Sequence, residues 1–138
     1  YKEALEEFGV SYDPDLVYEG NYDRESGGEA VEYILGLSKK VTAIFSFNDM
    51  SAYGVYNRLK RHNYYIPRDM SLVGYDDIFF SEILDVPLTS VSQPVYDMGV
   101  EAVLQIISEI DSGVNSKKCI TFQPKLTVRE STQRRREN

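Results

Sequence analysis

With 138 residues, 42% of them hydrophobic, the chain is long enough for one domain with a core of its own. A net charge of −7 excludes a grip on nucleic acid through this stretch, because phosphate binding relies on clustered cations. The single cysteine, Cys119, excludes an internal disulfide, and neither a run of about 18 apolar residues nor a basic-then-apolar start is visible.

Tyr1 to Phe8 reads as the end of an amphipathic helix, with Gly9 placed to cap it in the left-handed conformation. A chain that opens on Tyr inside a helix reads as a piece of a longer one. Pro14 and Asp15 mark a turn, and LVYEG (16–20) has the length and composition of a short strand. Asp23 is placed to cap a helix over 24–38 whose inner side is Ala30, Ile34, Leu35 and Leu37. VTAIFSF (41–47) is a near-continuous apolar run of the kind that suits a parallel strand covered on both faces. In MSAYGVYNRLKRHN, Ala52, Val55, Tyr56 and Leu59 recur at helical spacing. SLVGY (71–75) reads as another buried strand, and Thr89 to Ser92 as a short one. Pro94 suits the first turn of a helix to Ile110, with Val95, Ala102, Val103, Ile106 and Ile110 inward and Gly113 ending it. KCITF (118–122) and KLTV (125–128) are two more predicted strands before a polar tail whose Arg134-Arg135-Arg136 cluster reads as solvated.

Strand alternating with helix at this spacing predicts the α/β class: a parallel sheet flanked by helices, joined by right-handed crossovers. In open sheets of this kind ligands bind beyond the carboxyl ends of the strands. Asn48 and Asp49 follow one predicted strand and Asp76 and Asp77 another, so both polar pairs fall on one rim, where Tyr22 also arrives. A carboxylate, an amide and an aromatic ring suit a sugar, whose vicinal hydroxyls take charge-assisted hydrogen bonds and whose C–H face takes the ring. Plainer roles are open to the same residues. Asn48 or Asp49 serves equally well as a helix cap, Asp77 as a solvated turn residue and Tyr22 as a half-buried surface aromatic. Asp76 is harder to dismiss, since burying it unpaired costs several kcal/mol.

Catalytic machinery is absent from the pattern. Adjacent residues at a strand end point in different directions, so Asp76 and Asp77 make a poor acid/base pair. His62 falls on the outer side of a helix and reads as solvated, Cys119 reads as a small buried hydrophobe, and no phosphate loop, dinucleotide fingerprint or nucleophile elbow occurs. The sequence implies neither an enzyme nor a cofactor or metal.

Five blocks, EGNYDRESG (19–27), TAIFSFNDMSAYG (42–54), IPRDMSLVGYDDI (66–78), PLTSVSQPVYDMG (87–99) and LTVREST (126–132), together resemble the effector-binding core of the LacI/GalR (lactose/galactose-repressor) family of transcription regulators. The resemblance implies a type I periplasmic-binding-protein-like core of two lobes around a sugar-sized cleft. The chain would be most of the C-terminal lobe, truncated, with about 89–110 crossing into the N-terminal lobe. A helix-turn-helix DNA-binding head would lie outside it. The family's effector contacts map onto Asn48 (its ND block), Asp76 (its GYDD block) and Gln93 (its QP block). The aromatic after its EGD block maps onto Tyr22, although Asn21 stands where the aspartate usually does. Dimerisation in the family uses the helix after ND and the loop after GYDD, which makes Tyr53, Phe79, Phe80 and Leu84 interface candidates. The function implied is the effector-sensing and dimerisation part of a cytoplasmic regulator that senses a small molecule, such as a sugar, and touches operator DNA only through its head. The alternative is a soluble sugar-binding protein of a transport system.

Overall fold

The computed structural model describes residues 1–114 and 117–134, which places Arg135 and Arg136 of the terminal basic cluster outside the described residues. In chain order the elements are α1 (Lys2–Glu7), a 3-10 turn (Pro14–Leu16), α2 (Arg24–Gly36), β1 (Ala43–Phe45), α3 (Asp49–Arg61) and β2 (Ser71–Asp76). Then follow α4 (Phe79–Ile83), β3 (Thr89–Ser92), α5 (Val95–Ser112) and β4 (Lys125–Thr127). The strands lie side by side in the order β1-β2-β3-β4, the first three parallel and β4 antiparallel to β3. The sheet is therefore mixed, with a parallel body and one antiparallel edge strand.

Local chemistry explains the helix starts. Asp23 accepts a hydrogen bond from Ser26 N at 2.8 Å, and Asn48 accepts one from Ser51 N at the same distance, each satisfying a first-turn amide. Arg58, Lys60 and Arg61 fill the last turn of α3, where the helix dipole favours cations. Gly9 ends α1 and Gly113 ends α5, both at φ +66. Val31 of α2, Ala52, Val55, Tyr56 and Leu59 of α3, and Met70, Leu72 and Leu88 from the sheet side form the buried core. The buried part of α2 is thus Ser26, Gly27, Gly28 and Val31, while the expected Ala30, Ile34, Leu35 and Leu37 are only half-buried. The reason is the helix crossing. A Cβ on Gly27 would lie 2.1 Å from Ser51 O and one on Gly54 would lie 1.9 Å from Arg24 O, so α2 and α3 approach backbone to backbone. Glu32 closes the far end of the crossing: Arg58 donates to it at 2.6 Å and His62 Nε2 lies 2.8 Å away. Those bonds, from His62 first and Arg58 second, hold the Glu32 carboxyl below its ordinary value.

Leu72 and Gly74 of β2 face this helical layer and are buried, whereas Ser71, Val73 and Tyr75 on the opposite face are half-buried. Together with exposed Ala43 and Phe45 of β1, they leave that face less covered than the apolar run at 41–47 predicts. Three further expectations are corrected. LVYEG (16–20) is extended at Val17 (φ −116, ψ 119) but forms no strand and pairs with none of the four. KCITF (118–122) likewise forms no strand, and Cys119 is exposed rather than buried. β3, which the resemblance assigns to the second lobe, is the third strand of this sheet. α5 stands clear of the sheet, with none of its 18 residues buried, including Val95, Ala102, Val103, Ile106 and Ile110.

The end of the chain is stitched into the sheet. Ser131 is fully buried; its Oγ donates to Leu72 O at 2.5 Å and accepts from Thr89 N at 2.8 Å. Its backbone carbonyl accepts from Leu72 N at 2.9 Å and its amide donates to Pro87 O at 3.0 Å, so it bridges the starts of β2 and β3.

Candidate functional site

The carboxyl ends of β1, β2 and β3 share one rim because the three strands are parallel. Phe45 stands opposite Val73, and Ser46 N still donates to Val73 O at 2.8 Å. The same register continued sets Asn48 level with Asp76. Asp76 pairs in turn with Ser92, so Gln93 follows one residue beyond it. Asn48, Asp76 and Gln93 therefore lie at the same end of the sheet, the end the sequence suggests for Asn48 and Asp76.

Two hydrogen bonds hold these residues as two pairs. Gln93 Nε2 donates to Asp76 Oδ1 at 2.8 Å. Asn48 Nδ2 donates to Tyr22 O at 2.9 Å while its Oδ1 caps α3. The cap and the rim role are thus compatible in one side chain: each end of the amide serves one of them. Tyr22 is held in the left-handed region at φ +63 and its ring lies 4.8 Å from the Phe47 ring, tilted at 58°. These rings are 61% and 70% exposed, so an aromatic surface borders the polar group and is free to take an apolar ligand face.

Beneath the rim lies a buried carboxylate that the sequence offers only as an alternative cap. Asp49 is 1% exposed and accepts three hydrogen bonds: from Ser81 Oγ at 2.5 Å, Ser90 Oγ at 2.6 Å and Ile78 N at 2.9 Å. Gly74 makes its space, since a Cβ there would lie 2.1 Å from Asp49 Oδ1. A glycine within an apolar strand and serines amid apolar neighbours are the sequence signals of such a node.

Asp77 is not a solvated turn residue. Arg129 Nη1 donates to Asp77 Oδ1 at 2.6 Å and also to Leu88 O at 2.8 Å, and Thr127 Oγ1 donates to Asp77 Oδ2 at 3.1 Å. The two charged side chains are 18% and 13% exposed, a half-buried pair that ties the strand β4 region to the rim. Asp76 and Asp77 both have positive φ, 109 and 56. Two successive non-glycine residues in that region turn the chain sharply and send the two carboxylates to different partners.

The interface candidates also meet. Tyr53, Phe80 and Leu84 line one cleft of 280 Å³ between α3 and α4, with Met50, Ile78 and Leu88 beside them and Asp49 and Ser81 among its walls. Phe79 stands outside it, edge-on to Phe80 with ring centres 6.1 Å apart. The segment expected as a loop here contains the short helix α4, and Asp85 just beyond it bonds to Lys60 of α3 at 2.6 Å. A larger open hollow of 1310 Å³ lies at the other end of the sheet. Lys39 and Arg68 on its wall are already engaged by Asp13 and Asp69. None of the rim residues lines either hollow. No helix among the described residues is long and apolar enough to cross a membrane.

Residues 1–132 match the model of a family described as "Periplasmic binding protein-like domain". The HTH-type transcriptional regulator RegA of Clostridium saccharobutylicum is 35% identical over 132 residues, 96% of this chain and 40% of its own length. The solved complex of the transcriptional regulator CelR with cellobiose superposes with a TM-score of 0.89 at 32% identity, covering 95% of this chain and 40% of that one. A putative transcriptional regulator LacI from Bacillus cereus subsp. cytotoxis gives a TM-score of 0.90 at 29% identity, covering 96% and 47%. The chain thus spans less than half the length of each of these three proteins. On fold, site geometry and these likenesses alike, it belongs to the periplasmic-binding-protein-like domain family, in the form found in the effector-binding cores of LacI/GalR-type regulators.

Proposed function

We propose that this chain is the effector-sensing and dimerisation part of a cytoplasmic LacI-type transcription regulator, whose operator DNA is read by a separate helix-turn-helix head. The effector is a sugar or similar polyol held by Tyr22, Asn48, Asp76 and Gln93. The observation that carries this reading is the gathering of those four residues at one end of the sheet. A cellobiose complex of a relative of closely similar fold supports the polyol class. The segment after β3, with the uncovered apolar helix α5, belongs to the second lobe of the cleft, and ligand between the lobes favours one interlobe angle. Operator affinity then changes by the difference in contacts that the two angles allow.

A thermal-shift panel of cellobiose, ribose, glucose, galactose, adenosine and cytidine on the intact regulator tests this reading. At least one compound is expected to raise the melting temperature, because a ligand that binds only the folded state stabilises it. Asp76→Asn should weaken that compound about 30-fold, the usual worth of a charge-assisted hydrogen bond. A panel without a hit, or a hit indifferent to the substitution, removes the proposal.

The proposed dimer contact is the α3/α4 cleft, with Tyr53, Phe80 and Leu84, which line it, as its apolar centre and Phe79 at its border. Sedimentation of the intact regulator should give a dimer at micromolar concentration, and Phe80→Asp should shift it to monomer. An unchanged dimer in that variant would place the contact elsewhere.

A further inference from the structure

We propose that Asp49 and Ser90 are positioning residues that set the direction of the Asp76 carboxylate from beneath the rim. The chain turns sharply immediately after β2, with Asp76 at φ 109 and Asp77 at φ 56. Neither residue is glycine, so neighbouring contacts must hold both in place. The next two amides show how. Asp77 N donates to Ser90 Oγ at 3.2 Å, and that hydroxyl donates its own hydrogen to Asp49 Oδ1 at 2.6 Å. Ile78 N donates directly to Asp49 Oδ2 at 2.9 Å. One buried carboxylate thus grips two successive amides, one through a hydroxyl relay and one without an intermediary. The grip is rigid because Asp49 starts α3 under the Asn48 cap, Ser90 lies within β3 between two strands, and both side chains are buried.

The arrangement also explains Gly74, whose missing side chain leaves the slot that Asp49 Oδ1 occupies. Ser81 supplies an internal control. It donates to the same carboxylate, at 2.5 Å, but its hydroxyl makes no hydrogen bond to residues 76–78. General loosening of the buried node would make Ser81 and Ser90 equivalent; the relay makes them different.

The functional meaning of this inference rests on Asp76 as an effector contact, but its test contains no effector and so fails or succeeds independently of that reading. In the intact regulator, Ser90→Ala is expected to speed amide exchange at Asp77 and Ile78 about tenfold, the worth of one hydrogen bond. It should also move the side-chain amide resonance of Gln93, the partner of Asp76. Exchange in α2 should stay at its original rate, Ser81→Ala should leave the Gln93 resonance in place, and Ser90→Thr should restore both signals. A folded Ser90→Ala protein with unaltered exchange and resonance overturns the proposal, as do equal effects from the two serines. Should Ser90→Ala not fold, Asp49→Asn takes its place: faster exchange with a moved Gln93 resonance supports the relay, and no change in either overturns it.

Discussion

Gly54→Ala is expected to lower the stability of the protein by about 3 kcal/mol, read as an early midpoint in urea denaturation. The added methyl would fall 1.9 Å from the Arg24 carbonyl oxygen and close to Gly28 N, both backbone atoms. A side-chain tip can rotate aside; a helix cannot, so α2 and α3 must part and thin the contact that buries Val31, Val55 and Leu59. Gly36→Ala is the matching control. It ends α2, the other helix of that crossing, with nothing near its missing Cβ, and alanine there should be neutral or stabilising by about 0.5 kcal/mol through helix propensity. If the two substitutions cost the same, the close crossing is not what holds the helices at this distance.

The second large effect is expected at the Arg129–Asp77 pair. Arg129→Ala should cost about 2 kcal/mol, below the figure for a fully buried pair because both side chains keep some solvent contact. It removes the cation from Asp77 and a donor from Leu88 O at once. Asp77→Asn keeps a residue tolerant of the left-handed backbone while removing the charge. In a double-mutant cycle the two changes should fall short of additivity by about 1 kcal/mol. Additive losses would mean the pair adds nothing beyond its separate packing.

The sequence carried the elements that are capped and patterned locally. Asp23, Asn48 and Gly113 mark the ends of α2, α3 and α5 through contacts within a few residues, and β2 and β3 announce themselves by composition. That Asn48 and Asp76 share one rim was legible because parallel order alone sends strand ends there, whereas Gln93 came only through the family resemblance. What stayed hidden depends on partners distant along the chain. Whether 16–20 or 118–122 forms a ladder is decided by a neighbouring strand, not by its own residues. Asp77 finds Arg129 from 52 positions away, and Asp49 becomes a hub only through Ser81 and Ser90. For α5, the helical period marks an apolar face but says nothing of what covers it.

Ser131 carries a consequence for the order of events during synthesis. It joins the first residues of β2 and β3 from 59 and 42 positions downstream. As the nascent polypeptide emerges, those strands can pair along Val73 to Asp76, yet their openings stay unstitched until translation has delivered Ser131. The sheet is thus fastened late, like a seam closed well after it was laid, and a transcript cut short before that codon would yield a sheet with one corner left open to chaperones and proteases.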